Sequence, residues 1–332
     1  MKITFVVIAI ISKLIKMDNT KILVVGANGQ LGSVLTKALQ LKHGIENVIA
    51  SDLNKKSDFE GKFEILDATD LENLHANVIK HEITQIYHLA AILSAKGEIN
   101  PISTWDINMK SLLNVLEIGR LENLDKIFFP SSIAVFGKSA PLDNCPQNAF
   151  LDPATVYGIS KAAGENWANY YFQRYGLDVR SIRYPGVVGY QSLPGGGTTD
   201  YAIDIFHKAV LDEHFTCFLK KDTRLPMIFM EDAIQATLQL MDAPKENIKT
   251  RTSYNLSGLS FTPEELASEI QKFIPNFSIS YQPDFRQEIA ESWPQRIDDK
   301  EARLDWAWKP SFSLKEITET MIIKLKDKLT FA

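Results

Sequence analysis

Tyr157 and Lys161, in the stretch "VYGISKAAGENW", are four residues apart and so lie one turn apart on the same face of a helix. A free tyrosine hydroxyl ionises near pH 10 (~10 as a reference value), which makes it a poor base at neutral pH. A neighbouring ammonium group favours the phenolate and lowers that value, turning tyrosine into a usable general acid–base. The spacing alone is common, and a solvated helix face explains it equally well. Ser131 and Ser132 close the apolar run "KIFFPSS" and offer hydroxyls that can hold a substrate oxygen beside Tyr157.

A glycine stretch supplies the context. In "VVGANGQLG", Gly26, Gly29 and Gly32 follow a β-branched run directly and open a helical pattern. Gly26 allows a tight turn, Gly29 the close approach of a pyrophosphate and Gly32 close helix–strand packing, which is the arrangement of a dinucleotide site. Asp52 ends the second apolar run, twenty residues after Gly32. An acid there accepts hydrogen bonds from ribose hydroxyls and repels a 2′-phosphate, favouring NAD over NADP, while Lys55 and Lys56 soften that preference. Asp67, after the third run, is an adenine contact or a turn residue. Because the cofactor phosphates have a cradle here, the second glycine stretch, "LPGGGTTDYAIDIF" at 193–206, is free to serve a substrate.

The elements that must position these groups read as follows. Runs at 21–26, 47–52, 63–66, 85–90 and 126–132 are predicted strands, and 30–42, 70–81 and 104–120 are predicted helices. Strand–helix alternation with continuously apolar strands means an α/β fold with a doubly wound parallel sheet, whose ligand crevice lies at the carboxyl ends of the strands. After about Pro185 strands shorten and turns become denser, and Thr262 and Pro263 mark the start of a capped helix. The expected division is an extension at 1–18, a Rossmann domain at 19–186 and a smaller substrate-binding domain at 187–332, with parts of 226–257 returning to the Rossmann core.

Composition narrows the classes. A net charge of −5 without a basic block speaks against nucleic acid as a partner. The two cysteines, Cys145 and Cys217, form no CxxC pair and suit a reducing, cytoplasmic compartment. Six scattered histidines include no HExxH, so no metal is expected. "MKITFVVIAIISKLIK" resembles a weak secretory signal, but it is too short to span a bilayer and lacks a small-residue cleavage site. It is expected to be a loosely attached extension or to lie upstream of the true start, and no membrane association is expected.

Taken in order, the GxxGxxG at 26–32, "HLAA" at 88–91, Asn108, the serine-rich strand end and the YxxxK at 157–161 resemble the extended short-chain dehydrogenase/reductases, the group that contains the nucleotide-sugar epimerases. The resemblance runs from Lys21 to the closing "DDKEARLDWAWKPSFSLKE". It implies that Ser132, Tyr157 and Lys161 form the catalytic set with Asn108 in support. It also implies cofactor contacts from Asn28, Gln30 and Leu31 on the glycine turn, from Leu89, Ala90 and Ala91, and from Asn108, Tyr157, Lys161, Tyr184 and Pro185. Pro185 and Gly186 stand where sugar epimerases usually carry Phe-Asn. "PGGGTTDYA", "TRLPMIFMEDAIQA" and "SWPQRIDDKEARLDWAW" are instead similar to the metal-independent L-threonine 3-dehydrogenases of this group. That branch implies NAD-linked oxidation of L-threonine to 2-amino-3-oxobutyrate by a homodimer. A nucleotide-sugar epimerase or dehydratase is the alternative, and a non-catalytic dinucleotide sensor a third.

Threonine is a small zwitterion, so its pocket needs donors for a carboxylate. Glycine amides in the second loop, Gly196 among them, together with Thr198 and Thr199, are expected to supply them, unless the threonines merely cap the next helix. Ser94 is implied as a further contact. Arg224 is a candidate for the carboxylate or for a structural salt bridge, and Trp293 for a lid or for the core.

Overall fold

The computed structural model describes residues 20–56, 59–211 and 213–330; the expectation for residues 1–16 falls outside them. Strands β1 (Ile22–Val25), β2 (Val48–Asp52), β3 (Lys62–Ile65), β4 (Gln85–His88), β5 (Lys126–Ser132) and β6 (Val179–Tyr184) build the main sheet. Between them lie helices α1 (Gln30–His43), α2 (Leu71–Lys80), the short α3 (Ser94–Gly97), α4 (Pro101–Leu121) and α5 (Val156–Tyr175). β7 (Gly186–Val188) begins the second half, followed by α6 (Tyr201–Val210), β8 (Phe215–Cys217), β9 (Leu225–Phe229) and α7 (Met230–Asp242). Then come β10 (Tyr254–Asn255), β11 (Leu259–Phe261), α8 (Pro263–Gln271), β12 (Ile279–Tyr281), α9 (Arg286–Glu291), α10 (Lys300–Trp306) and α11 (Leu314–Thr330).

Seven parallel strands run in the order β10-β6-β5-β4-β1-β2-β3. Chain order reverses between β1 and β4, which opens a crevice at their carboxyl ends. Both faces are covered, as the apolar strands require. Leu35 and Leu39 of α1 share one core with Ala233 and Leu240 of α7. Leu74 of α2, Leu112 and Val115 of α4 and Ala168 of α5 fill the core on the other face. β3 is the exception to the apolar pattern: it is the sheet edge, and its residues are half-buried or exposed.

The second half forms a separate core from α6, α8, α11 and the small sheet β11-β9-β7. Tyr254 and Asn255 rejoin the main sheet beside β6. Helix α4 starts at Pro101, before the predicted Thr104, with proline at its first turn where no amide partner is needed. Thr262 caps α8 in a reciprocal box with Glu265. Cys145 and Cys217 are buried free thiols. Among the described residues, no helix is long and apolar enough to cross a membrane and no cluster of acidic, histidine or cysteine residues is arranged for a metal ion.

Candidate functional site

Two cavities open at the carboxyl edge and meet at Leu89 and Ala91. The first is lined by Gly26, Gly29, Asp52, Asp67 and Ala90. Gly26 adopts φ +89°, a conformation that side chains disfavour, and a Cβ there would lie 2.6 Å from the Ala90 nitrogen. A Cβ on Gly32 would lie 2.1 Å from the Gly26 carbonyl oxygen. The turn therefore packs against the next strand end with no room for side chains, a cradle that fits a dinucleotide pyrophosphate at the start of α1. The Asp52 carboxylate accepts from the amides of Asn28 at 2.9 Å and Leu53 at 2.8 Å, which fixes it at the strand end. Lys56 donates to the Asn28 carbonyl at 3.0 Å. Asp67 accepts from the Thr69 amide and hydroxyl, each at 2.8 Å, so it lines the cavity and also shapes the turn into α2.

The second cavity is lined by Gln30, Leu31, Ser94, Ser132, Tyr157, Lys161, Tyr184, Pro185, Thr198, Thr199 and Trp293, among others. Its central groups are placed by α5. The Thr155 hydroxyl caps that helix by accepting from the Gly158 amide at 3.1 Å, an interaction worth about 1 kcal/mol. A Cβ on Gly158 would come within 2.1 Å of the Ala134 carbonyl oxygen, so only glycine lets the first turn of α5 press against the segment that follows Ser132. That contact sets Tyr157 beside Ser132. Asn108 of α4 pins the loop after β4: its Oδ1 accepts from the Ile92 amide at 2.8 Å, and its Nδ2 donates to the Ile92 carbonyl at 3.1 Å and to Ser160 Oγ at 3.3 Å. Gln30 Nε2 donates to the Val187 carbonyl at 3.2 Å, tying the glycine turn to β7.

Lys161 Nζ donates to the Pro130 carbonyl at 2.7 Å and lies 5.5 Å from the centre of the Tyr157 ring. Burial pushes the Tyr157 phenol up to about 12, with the Ser132 hydroxyl opposing the shift. Burial also pushes Lys161 down to about 7, opposed by the Glu165 carboxylate. Where a phenol lowered by a neighbouring ammonium was expected, burial holds it above its ordinary value and the Ser132 hydroxyl is what opposes the rise.

The structure places the other expected site residues as follows. The amides of Gly196 and Gly197 both donate to Asp200 Oδ2 at 2.8 Å, so the glycine loop folds onto its own carboxylate instead of presenting free donors. Ser131 lines the cavity, and its Oγ donates to Glu165 Oε1 at 2.6 Å. Arg224 is not among the residues lining the cavity; it precedes β9 and bonds to the Ser260 carbonyl of β11 and the Glu265 carboxylate. Thr199 packs its methyl region against Gly186. The Tyr184 hydroxyl bonds to Thr237 and its ring packs on Phe128 in the core, so that Tyr184 lines the cavity from a buried position. Thr198 and Trp293 behave differently. Thr198 is 1% and Trp293 5% exposed, and Thr198 Oγ1 and Trp293 Nε1 have no hydrogen-bond partner. Sequence reasoning left Trp293 between lid and core and missed Asp200 and Glu165. The spacing of Lys161 and Glu165, four apart on one helix face, was a signal for the latter.

The profile of the NAD dependent epimerase/dehydratase family matches residues 22–257. The chain belongs to that family. Its members use a nicotinamide dinucleotide, which agrees with the cradle at Gly26–Gly32. Within the family, the chain is 44% identical over 309 residues to bovine mitochondrial L-threonine 3-dehydrogenase, covering 92% of this chain and 82% of that one. The solved GalE-like L-threonine dehydrogenase from Cupriavidus necator, in its holo form, is 52% identical with a TM-score of 0.91, covering 92% of this chain and 99% of that one. A monomeric L-threonine 3-dehydrogenase from a metagenome is 48% identical with a TM-score of 0.90, at the same coverage of 92% and 99%.

Proposed function

We propose that the protein is a metal-independent, NAD-linked L-threonine 3-dehydrogenase that oxidises the 3-hydroxyl to give 2-amino-3-oxobutyrate. The observation that carries this reading is the pairing, in one cavity, of Tyr157 with two buried donors that lack partners, Thr198 Oγ1 and Trp293 Nε1. Leaving such groups unmatched costs roughly 1–3 kcal/mol each, and a small carboxylate bound in this cavity is the partner we assign to them. The similarity to named L-threonine dehydrogenases supports the same conclusion, whereas the epimerase or dehydratase alternative matches only at the level of the family.

The Gly26–Gly32 turn, Asp52, Asp67 and the Leu89–Ala91 segment hold the cofactor, and Asp52 excludes a 2′-phosphate. A bound nicotinamide supplies the two-electron acceptor for the hydrogen on the substrate's third carbon. Tyr157, as phenolate, accepts the hydroxyl proton; Ser132 donates a hydrogen bond to the same oxygen and aligns it. Thr198 and Trp293 bind the carboxylate, and Ser94 lines the wall beside them. Asp200 lines the same cavity and is the carboxylate we assign to the ammonium group. Lys161 holds the strand end at Pro130 and favours the phenolate when charged.

A homodimer in the cytoplasm completes the reading. Ile102 and Trp105 on α4 and Ile159, Trp167 and Tyr170 on α5 expose apolar surface on two helices that pack together, a face suited to a second copy. A monomeric relative and a mitochondrial one set the outcomes to test, by sedimentation and by localisation. The function itself is tested by mixing the protein with NAD and single amino acids and following NADH. L-Threonine is expected to give the strongest signal. Turnover of no amino acid, with protection from heating by UDP-sugars, would overturn the assignment in favour of an epimerase.

A further inference from the structure

Glu165 is a buried carboxylate that the proton transfer does not touch. It sits one turn after Lys161 on the inward face of α5 and is held by three hydrogen bonds from two residues. Arg183 Nε donates to Oε1 at 2.9 Å and Nη2 to Oε2 at 2.7 Å, a two-pronged pair. Ser131 Oγ donates to Oε1 at 2.6 Å. Ser131 follows Pro130, whose carbonyl receives the Lys161 ammonium, and it registers opposite Arg183 across β5 and β6. The guanidinium is itself anchored on its other side by the Gln147 carbonyl at 2.9 Å and Asn255 Oδ1 at 3.0 Å. The cluster fixes the carboxylate against Ser131, the residue after the one whose carbonyl receives Lys161.

We propose, on the reading of the site given above, that Glu165 is a positioning residue for the proton transfer: its fixed carboxylate opposes the loss of charge from Lys161 and thereby favours the Tyr157 phenolate. Lys161 Nζ lies 5.5 Å from the centre of the Tyr157 ring, so a charged ammonium there favours the phenolate and a neutral amine does not. Burial favours the neutral pair. Only a neighbouring negative charge opposes that preference from the protein side, and Glu165 is the carboxylate placed one helical turn from Lys161. The other groups around Lys161 do not supply one. β4 contributes His88, which burial holds neutral with a pKa near 3; β5 contributes the Phe129 ring at 4.5 Å and the Pro130 carbonyl; α4 contributes neutral Asn108. β6 contributes Arg183, whose charge is matched by Glu165, and the Tyr184 phenol, which burial keeps protonated.

The test uses the NAD-saturated enzyme with Glu165→Gln, which keeps the shape and hydrogen-bonding capacity of the side chain. Two readouts are taken: the pH dependence of kcat with L-threonine, and the tyrosinate absorbance of Tyr157, isolated by subtracting the same titration on Tyr157→Phe backgrounds. Glu165→Gln is expected to move phenolate formation and the kcat limb to higher pH by about one unit, the lower end of shifts caused by an adjacent charge. Activity at neutral pH then falls roughly tenfold, with little change in KM. Leaving Arg183 unpaired can destabilise the fold, so Glu165→Gln combined with Arg183→Met removes both charges; it is expected to recover thermal stability and still show an alkaline shift, smaller in size. A limb and a tyrosinate titration that stay in place in whichever variant folds would show that the pair serves packing alone and overturn the proposal. The absorbance arm needs no turnover, so a wrong substrate assignment silences the kinetics and leaves this inference open to confirmation or rejection.

Discussion

Replacing Thr198 by valine removes one hydroxyl and keeps the branched shape. In the folded protein that hydroxyl is buried and has no partner, so its desolvation is uncompensated. An unmatched buried hydroxyl costs about 1–3 kcal/mol, and Thr198→Val is expected to stabilise the free protein by up to that amount. In a protein of this size the melting temperature rises by roughly 2 °C for each kcal/mol. The substrate complex should respond in the opposite direction. A hydrogen bond to a charged group is worth about 1.5–3 kcal/mol, so KM for L-threonine is expected to rise roughly ten- to a hundred-fold. NAD affinity should stay within about two-fold, because Thr198 lines only the cavity beyond Leu89 and Ala91. Scanning calorimetry with steady-state kinetics on one preparation reads all three quantities. A melting temperature that falls, or a KM that does not move, would show that the hydroxyl has a partner within the protein and would refute the reasoning.

Other outcomes follow from the same geometry. Tyr157→Phe is expected to cut kcat by at least about a hundred-fold, the usual contribution of a positioned acid–base group, with NAD binding retained in a fluorescence titration. In the native enzyme kcat should climb through alkaline pH, since burial raises the phenol and the phenolate is the reactive form; a flat profile in the chemical step counts against Tyr157 as the base. Asp52→Ser should narrow the gap between NAD and NADP in kcat/KM by removing the charge that opposes a 2′-phosphate; an unchanged ratio removes Asp52 from that role. Gly32→Ala places a Cβ 2.1 Å from the Gly26 carbonyl and must displace backbone, so NAD affinity and stability should fall together, the latter by about 1–3 kcal/mol in thermal melts.

The parts legible in the sequence were those written in local spacing. Continuous apolar runs marked β1, β2, β4 and β5, the glycine spacing marked the turn into α1, and the Tyr157–Lys161 interval marked one helix face. What escaped was decided by partners distant in sequence. Nothing near Arg224 announces that Glu265 and the Ser260 carbonyl will take its guanidinium, and nothing near Ser131 announces Glu165. The second glycine loop looked like a supply of free amides, yet Asp200, four residues after Gly196, reaches back to claim them. Trp293 enters the cavity from α9's following turn, 136 positions beyond Tyr157 in the numbering, so only the packing of the second core brings them to one wall. The height of the phenol's pKa was missed for the same reason: desolvation is a property of the assembled site and leaves no mark in residue spacing.

The central claim is that the site removes the hydrogen on the third carbon of L-threonine while Tyr157 takes the hydroxyl proton. L-Threonine carrying deuterium at that carbon, incubated with the protein and NAD, tests it most directly, with the reduced cofactor examined by mass spectrometry. The account predicts NADH bearing the deuterium, and loss of that transfer in Tyr157→Phe. NADH without the label, or no NADH from threonine while a nucleotide sugar is converted, would contradict it.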